Sequence, residues 1–420
     1  MKIKIITQFV ILLIIIPTFG TIAKTEKKEN FEKFNYIIFT NYYLKKSVQS
    51  LIEWRENQGF KLKIITDMEN SDEIRNFLKS KYLEWDIKYV LIVGSHRTIP
   101  MKECYIEKEN EEGYYCLPTD HYYAELTHNW DQDNDGFYGE FDDDIKNNID
   151  LLPEISVGRI PFDRPKNVKE FCKKLIKYEK DNGDWKTKAL FLAGILEYIP
   201  QYIDSALFAE KLQNETFINN GFSCTKLYET GGLKPTNYTY DLPLKHRNVI
   251  KKLREGYGYV SIMGKGTYRT VRRYLWVEDN GNGVPDKNEI KLLPTYIFLH
   301  SFEKFLLKDD KPSVVYSFTC FTAHPKIMNL CSALLDSTAI IFIGPTKNNK
   351  GGWQLKYNFT KYFTSTDMRL GDSYTNAKED YINSNGEIDN FFWFYDEESI
   401  RWTILNTGFY GDPATLKYLT

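Results

Sequence analysis

The sequence predicts an α/β fold with mainly parallel β-sheets covered by helices. Short, continuous apolar runs, such as YVLIV at 89–93, alternate with longer stretches of helical periodicity. Continuous apolar strands are typical of parallel sheets, because both faces of such a sheet are buried. The chain has 420 residues, which is long enough to form the hydrophobic cores of two or three domains. We therefore expect two α/β subdomains lying side by side.

The N-terminal subdomain, residues 30–125, is predicted from three apolar runs separated by two helical stretches. Gly59 ends the first helix, and a polar cluster that begins at Asn70 caps the second. The predicted strands are 36–40, 62–66 and 89–93, and the predicted helices are 44–58 and 71–85.

The larger subdomain, residues 126–420, resumes the alternation after a polar middle segment. An acidic loop at 131–150 and a charged helix near 165–182 mark the join. The predicted strands are 189–193, 257–263, 313–319 and 338–343, and the predicted helices are 167–181, 204–219, 244–255, 326–335 and 372–382.

Residues 1–23 have the layout of a secretory signal peptide. Lys2 and Lys4 precede an apolar run at 5–16, and small residues follow at Thr21 and Ala23. The alternative is an uncleaved anchor, but the run is shorter than the roughly 20 residues that span a bilayer. We expect a secreted or extracytoplasmic protein with no membrane segment beyond the signal peptide.

The charge balance argues against a nucleic-acid-binding protein. Lysine and arginine number 55 and aspartate and glutamate 57, so the formal net charge is −2. Six cysteines are too few for a disulfide scaffold, although a bridge between Cys104 and Cys116 is left open. The other cysteines show no CxxC spacing, which argues against a zinc or thioredoxin-like site. The sequence does not indicate an oligomeric state.

A first acidic loop has the ligand spacing of a calcium site. Carboxylates at Asp131, Asp133 and Asp135 alternate before a glycine that permits a sharp turn. Phe137 can offer its backbone carbonyl, and Asp142 stands at position twelve of the loop. Oxygen ligands at this spacing suit Ca²⁺, whereas the alternative is a solvated acidic turn.

A second loop, 278–289, has ligand-type residues at the same positions and a glycine at position six. A glutamate at position one and two asparagines reduce its charge, so we expect weaker binding there. Neither loop lies within a clear helix–loop–helix, which favours structural over sensory calcium; a solvated turn is again the alternative. The predicted ligands are Glu278, Asn280, Asn282, Val284, Asp286 and Glu289.

Two predicted strands end in residues that can carry chemistry. One runs into Gly264-Lys265-Gly266, and another runs straight into Cys320. Reactive groups lie at the carboxyl ends of strands in open parallel sheets, so these residues suggest a shared site. A thiolate beside a cation is a good nucleophile. The alternative is a buried, inert cysteine.

From Tyr36 onward the sequence resembles the gingipain family of cysteine peptidases, which have the caspase-like fold of the caspase and legumain clan. Five blocks in the right order carry the resemblance. They are 54–60 (WRENQGF), 89–94 (YVLIVG), 119–124 (TDHYYA), 153–161 (PEISVGRIP) and 409–413 (FYGDP).

The resemblance implies a role for each matched residue. Cys320 aligns with the nucleophile, Glu154 with the acid that orients the catalytic histidine, and Gly266 with an oxyanion-hole amide. Lys265 stands where the family has the histidine of Gly-His-Gly. His324 lies four residues after Cys320 and is a substitute base or, alternatively, a surface imidazole.

Two functions of different class follow from the resemblance and from Lys265. The first is a secreted, calcium-stabilised cysteine endopeptidase that acts on protein or peptide substrates. The second is a pseudopeptidase that keeps the fold and binds peptides or other extracellular partners without cleaving them. A lysine has a pKa near 10.4 and is a poor proton donor and acceptor near neutral pH, which favours the second mechanistically.

Overall fold

The computed structural model describes residues 33–68, 70–110, 113–145, 149–325, 328–384, 388–389 and 397–418. The predicted signal peptide, residues 1–23, lies outside this part of the chain. Within it, no helix combines the length and the apolar character needed to cross a membrane. The described residues from Lys33 onward form one compact unit.

In the described part of the chain, twenty strands form between polar turns, and the buried ones are the apolar runs of the sequence. They are β1 Tyr36–Phe39, β2 Leu62–Ile65, β3 Tyr89–Val93, β4 Lys102–Asn110, β5 Gly113–Thr119, β6 Ser156–Ile160, β7 Lys188–Ala193, β8 Ile195–Glu197, β9 Ile203–Asp204, β10 Ser223–Tyr228, β11 Leu242–Pro243, β12 Tyr259–Met263, β13 Lys265–Gly266, β14 Thr270–Arg272, β15 Leu275–Trp276, β16 Ile290–Lys291, β17 Ile297–His300, β18 Ser313–Phe318, β19 Ala339–Pro345 and β20 Thr407–Tyr410.

Eleven of these strands form one sheet in the order β11-β10-β7-β12-β18-β19-β20-β6-β3-β1-β2. Neighbours pair in parallel except β19 and β20, which are antiparallel. The sheet therefore consists of two parallel halves that run in opposite directions and are joined by β20. The half that contains β1 also includes β6 and β20.

Among the described residues, ten α-helices flank the sheet. Asn70 caps α3 by accepting a hydrogen bond from the Glu73 amide at 2.8 Å, as expected for an Asn N-cap. The helices are α1 Tyr42–Lys45, α2 Gln49–Glu56, α3 Ser71–Trp85, α4 Pro165–Lys180, α5 Ser205–Leu212, α6 His246–Leu253, α7 Leu330–Leu335, α8 Trp353–Ser365, α9 Leu370–Ile382 and α10 Glu397–Asn406.

A small second core lies beside the main one. It contains the buried side chains of Ile195, Tyr198, Trp276 and Ile290. Ile195, Trp276 and Ile290 lie in β8, β15 and β16, and Tyr198 directly follows β8, so the small core joins two short antiparallel ribbons. The turn between β15 and β16 contains the second predicted calcium loop.

The predicted fold class is confirmed: the chain forms a large, mainly parallel sheet flanked by helices. The strand at 89–93 and the helix at 71–85 have the predicted bounds. The predicted helix at 204–219 is α5 followed by single turns of π- and 3₁₀-helix. The division into subdomains at residue 125 stays a prediction.

Candidate functional site

The two strand tips that were predicted to share a site lie side by side. β12 pairs in parallel with β18, and Met263 lies opposite Phe318. Gly266 contacts the backbone of Cys320 directly, since a Cβ at position 266 would lie 2.3 Å from the Cys320 carbonyl oxygen and 2.8 Å from its nitrogen. Glycine is therefore required here, and the close approach brings Lys265 and Gly266 to the thiol.

The Cys320 thiol is half-buried, with an amide and a cation acting on it. The Asn349 N–H donates a hydrogen bond to the Cys320 sulfur at 3.4 Å. Burial raises the pKa of the thiol above its usual value, while the Asn349 amide and the charge of Lys265 oppose that rise. The protonated thiol consequently predominates near neutral pH, and it is a much weaker nucleophile than the thiolate.

Lys265 is held by a carboxylate that the sequence did not suggest. Its ammonium donates to Glu197 at 2.8 Å and lies 4.8 Å from the ring centroid of Tyr274. Both side chains of the ion pair are partly exposed, at 29% for Lys265 and 21% for Glu197. The cation at the predicted base position is thus in a closed ion pair.

Glu154 contacts a different part of the chain from the carboxylate that binds Lys265. Its carboxylate accepts a hydrogen bond from the Leu126 amide at 2.5 Å, and burial raises its pKa. Among the contacts described for the chain, the carboxylate that binds Lys265 is Glu197. The carboxylate that contacts Lys265 therefore comes from β8, and the role predicted for Glu154 stays a prediction.

The loop after Cys320 is fixed by its backbone. Phe321 has a φ of +61°, and its N–H donates to the Lys347 carbonyl at 2.9 Å. His324 follows in the same loop; its N–H donates to the Phe321 carbonyl at 2.9 Å, and its ring centroid lies 6.2 Å from that of Phe321. These contacts tie the cysteine loop to the segment that follows β19.

A cavity of about 390 Å³ adjoins this loop. Ala323 and Pro325 from the cysteine loop line one part of it, and Phe302, Phe305 and Met328 contribute apolar surface. The last three side chains are 52%, 77% and 42% exposed, which is unusual for large apolar groups. The cavity therefore offers an apolar binding surface a few residues from the thiol.

The carboxylates of the first acidic loop converge. Asp131, Asp133 and Asp135 each present an oxygen, and these oxygens all lie within 4.8 Å of one another. The Phe137 amide donates to Asp135 at 2.8 Å. The side chain of Asp142 lies outside the described part of the structure. The donor set of this loop fits a hard cation such as Ca²⁺.

In the second loop the predicted ligands bind one another. The Glu289 carboxylate accepts from the amides of Asn280 at 2.7 Å and Asp286 at 3.1 Å, and also from the Trp276 indole. The Asn280 side-chain amide donates to Asp286 at 2.9 Å. In the described residues of this loop, no three acidic side chains bring oxygens within 4.8 Å of one another, as the carboxylates of the first loop do. The side-chain oxygens of Asn280 and Asn282 accept hydrogen bonds from the amides of Asn282 at 3.1 Å and Val284 at 2.8 Å.

Cys104 and Cys116 are free thiols. Cys104 lies opposite Leu117 in the β4–β5 ribbon, and Cys116 lies opposite Tyr105. Successive residues of a strand point to opposite faces, so this register directs the two sulfurs apart. The disulfide that the sequence left open is not formed.

The sequence blocks of the resemblance contact one another through two buried arginines. Arg159 donates to Asp120 twice at 2.6 Å and to the Gly94 carbonyl at 2.9 Å, which joins three of the blocks. Arg55 donates to Asp412 at 2.9 and 2.7 Å, which joins the remaining two. These blocks therefore hold the fold together.

The comparisons with known proteins agree with this architecture. The family model of peptidase family C25 matches residues 29–417. The crystal structure of the Arg-specific cysteine proteinase gingipain R (RgpB) superposes with a TM-score of 0.67 at 14% identity, covering 92% of this chain and 79% of that one. No curated protein matches the chain.

Two further solved structures are similar. The complex of the Porphyromonas gingivalis RgpB pro- and mature domains has a TM-score of 0.66 at 14% identity, and covers 91% of this chain and 79% of that one. A structure described as a protease has a TM-score of 0.59 at 12% identity, with 91% and 78% covered. At these identities the superpositions establish the fold. The family match spans nearly the whole chain and confirms the resemblance to the gingipains: the chain belongs to peptidase family C25.

Proposed function

We propose that this chain is an extracytoplasmic, peptide-binding member of family C25 that keeps the nucleophile position but does not turn over peptide bonds. The ion pair between Lys265 and Glu197, at 2.8 Å, is the observation on which the proposal depends. It supports the proposal because Lys265, at the position predicted for the general base, is a cation held by a carboxylate and not a group that takes and returns a proton.

Peptide hydrolysis by a cysteine needs two proton transfers. A general acid protonates the leaving amine, and a general base then activates water to release the acyl group. An ammonium has three N–H donors and no lone pair, so it cannot accept a proton from water. Lys265 therefore does not replace histidine in the second step.

Peptide binding is supported by parts of the site that do not depend on a base. The backbone of Gly266 contacts that of Cys320, so the main-chain groups at the two strand tips lie close together, as an oxyanion hole requires. The cavity beside Ala323 and Pro325 offers apolar surface for a side chain. Peptides and unfolded protein segments are the ligands of this site, and nucleic acids are not.

The second candidate is active cysteine endopeptidase, with Cys320 as nucleophile. The hydrogen bond from the Asn349 amide favours it, because this bond opposes the rise in the pKa of the thiol caused by burial. An adjacent cation also stabilises a thiolate, so a first acyl transfer is compatible with this site even where deacylation is slow.

Cleavage of a mixed peptide library, read by mass spectrometry, distinguishes the two. We expect no cleavage by the wild-type protein and the appearance of cleavage in Lys265→His. The matched control is Lys226→His, since Lys226 forms a similar partly exposed ion pair with Glu210 at 3.0 Å. Wild-type cleavage that disappears in Cys320→Ala would instead establish the endopeptidase.

Secretion and calcium complete the proposal. Residues 1–23 direct export, and the two loops bind Ca²⁺ as structural ions. The converging carboxylates of Asp131, Asp133 and Asp135 support the first site. In the second site the ribbon β15–β16 brackets the loop, so a bound ion there stabilises the small core beside Lys265.

A further inference from the structure

The carboxylate that holds Lys265 is itself held firmly. Glu197 ends β8, where it lies opposite Ile203 in an antiparallel pair. Its neighbour Tyr198 is buried in the small core, and the Tyr198 ring centroid lies 5.7 Å from that of Tyr274. Glu197 and Tyr274, the two groups that contact the Lys265 ammonium, are thus fixed by the same packed cluster.

This anchoring separates the Glu197–Lys265 pair from an ordinary surface ion pair. An exposed pair contributes little, since both flexible side chains lose freedom and water screens the charges. Here the carboxylate is attached to a packed ribbon, and the side chain of Lys265 is less than one-third exposed. The geometry of the ammonium is therefore determined by Glu197 and Tyr274.

The charge that acts on the Cys320 thiol is that of Lys265. Arg272 lies opposite Lys265 in β14, Lys347 lies on the segment that adjoins the cysteine loop, and His324 lies within that loop. The negative charge of a carboxylate in contact with an ammonium cancels much of the electrostatic field that the ammonium exerts on a third group, which here is the Cys320 thiol. Glu197 therefore acts on the thiol through Lys265.

We infer that Glu197 is a positioning residue that holds Lys265 in a closed ion pair and thereby keeps Cys320 as a protonated, weakly reactive thiol. Loss of this pair frees the ammonium to stabilise the thiolate, which makes the cysteine reactive. The inference concerns the site of the proposed function, but it does not depend on whether peptide bonds are cleaved.

The test is the pH profile of Cys320 alkylation by iodoacetamide. The thiolate sulfur attacks the methylene carbon and displaces iodide, so the rate follows the thiolate fraction. Mass spectrometry of the peptide that contains Cys320 separates its rate from those of the other cysteines. The variants are Glu197→Gln, Lys265→Met and the two together, with Glu210→Gln as the matched control for removal of a paired carboxylate.

We expect Glu197→Gln to move the midpoint of the profile down by about one unit, equivalent to about tenfold faster alkylation at neutral pH. The same change in the Lys265→Met background should have no effect, and Glu210→Gln should leave the profile unchanged. If Glu197→Gln does not fold, Glu197→Asp keeps the charge, shortens the reach and should give a smaller shift in the same direction.

Two results would overturn the inference. One is an unchanged profile in folded Glu197→Gln. The other is an equal shift with and without Lys265, which would show that the carboxylate acts on the sulfur directly. Neither result bears on peptide cleavage, so failure here is distinguishable from failure of the proposed function.

Discussion

Replacement of Asp412 by alanine should cost this protein a large part of its stability. Asp412 accepts hydrogen bonds from Arg55 at 2.9 and 2.7 Å, from the Tyr36 hydroxyl at 2.7 Å and from the Ala414 amide at 2.8 Å. The side chains of Arg55 and Asp412 are both 0% exposed. The substitution therefore leaves a buried guanidinium and a buried hydroxyl short of acceptors.

The expected loss follows from these contacts. Removing one member of a buried ion pair typically costs about 3–5 kcal/mol, because the other charge stays buried without its partner. Glu179 still accepts from Arg55 at 2.9 Å, which places the loss near the lower end, at about 3 kcal/mol. Asp412→Asn, which keeps the shape but removes the charge, should cost about half as much.

Urea titration followed by tryptophan fluorescence and circular dichroism measures the change in unfolding free energy. The control is Asp184→Ala, which removes an exposed partner of Lys188 at 3.2 Å and should cost about 0–1 kcal/mol. Equal, small losses in Asp412→Ala and Asp184→Ala would refute the reasoning, since burial would then contribute nothing to the strength of the pair.

Three further predictions concern the site, pH and calcium. Gly266→Ala should displace the Cys320 backbone and change the alkylation rate of its thiol at least tenfold. The control is Gly194→Ala, because the nearest atom to a Cβ at position 194 would lie 3.5 Å away, and this variant should alkylate at the wild-type rate. Equal rates in the two variants would contradict the close approach of Gly266 to Cys320. Burial lowers the pKa of Lys174 to about 7. Because the unfolded chain then binds more protons from pH 7 to about 10, unfolding free energy should rise across that range, and Lys174→Met should reduce the rise by up to about 1.4 kcal/mol per pH unit in equilibrium unfolding. Calcium should raise the melting temperature, and Asp133→Asn should reduce that rise in thermal scans with and without chelator; an unchanged rise would exclude the first loop as its source.

The parts of the fold that the sequence predicted well are those with strong local signals. The strand at 89–93 is apolar at every position, and all five residues are buried. The β10 strand, SCTKLY, contains polar residues because it lies near the edge of the sheet, and the sequence did not predict it. The opposite directions of the two halves depend on the placement of β20, which a local pattern does not reveal.

The residues of the candidate site also differ in how well the sequence predicted them. Cys320 and Gly266 were predicted together, because the carboxyl ends of neighbouring parallel strands meet. Glu197 was not predicted, since it lies 68 positions before Lys265 and belongs to no motif. One signal was present: a lone carboxylate, directly after an apolar run, near the end of the strand next to β12. Asn349 acts through its backbone amide, so its side-chain type carried no signal.

The central position of β20 has a consequence for synthesis in the cell. Because β20 fills the gap between β19 and β6, the sheet cannot close until residues 407–410 have left the ribosome. A nonsense mutation ahead of this strand would leave two unpaired inner edges, which invite cross-chain association and recognition by quality-control proteases. Nascent chains must therefore be shielded from one another until β20 has emerged and can pair with β19 and β6.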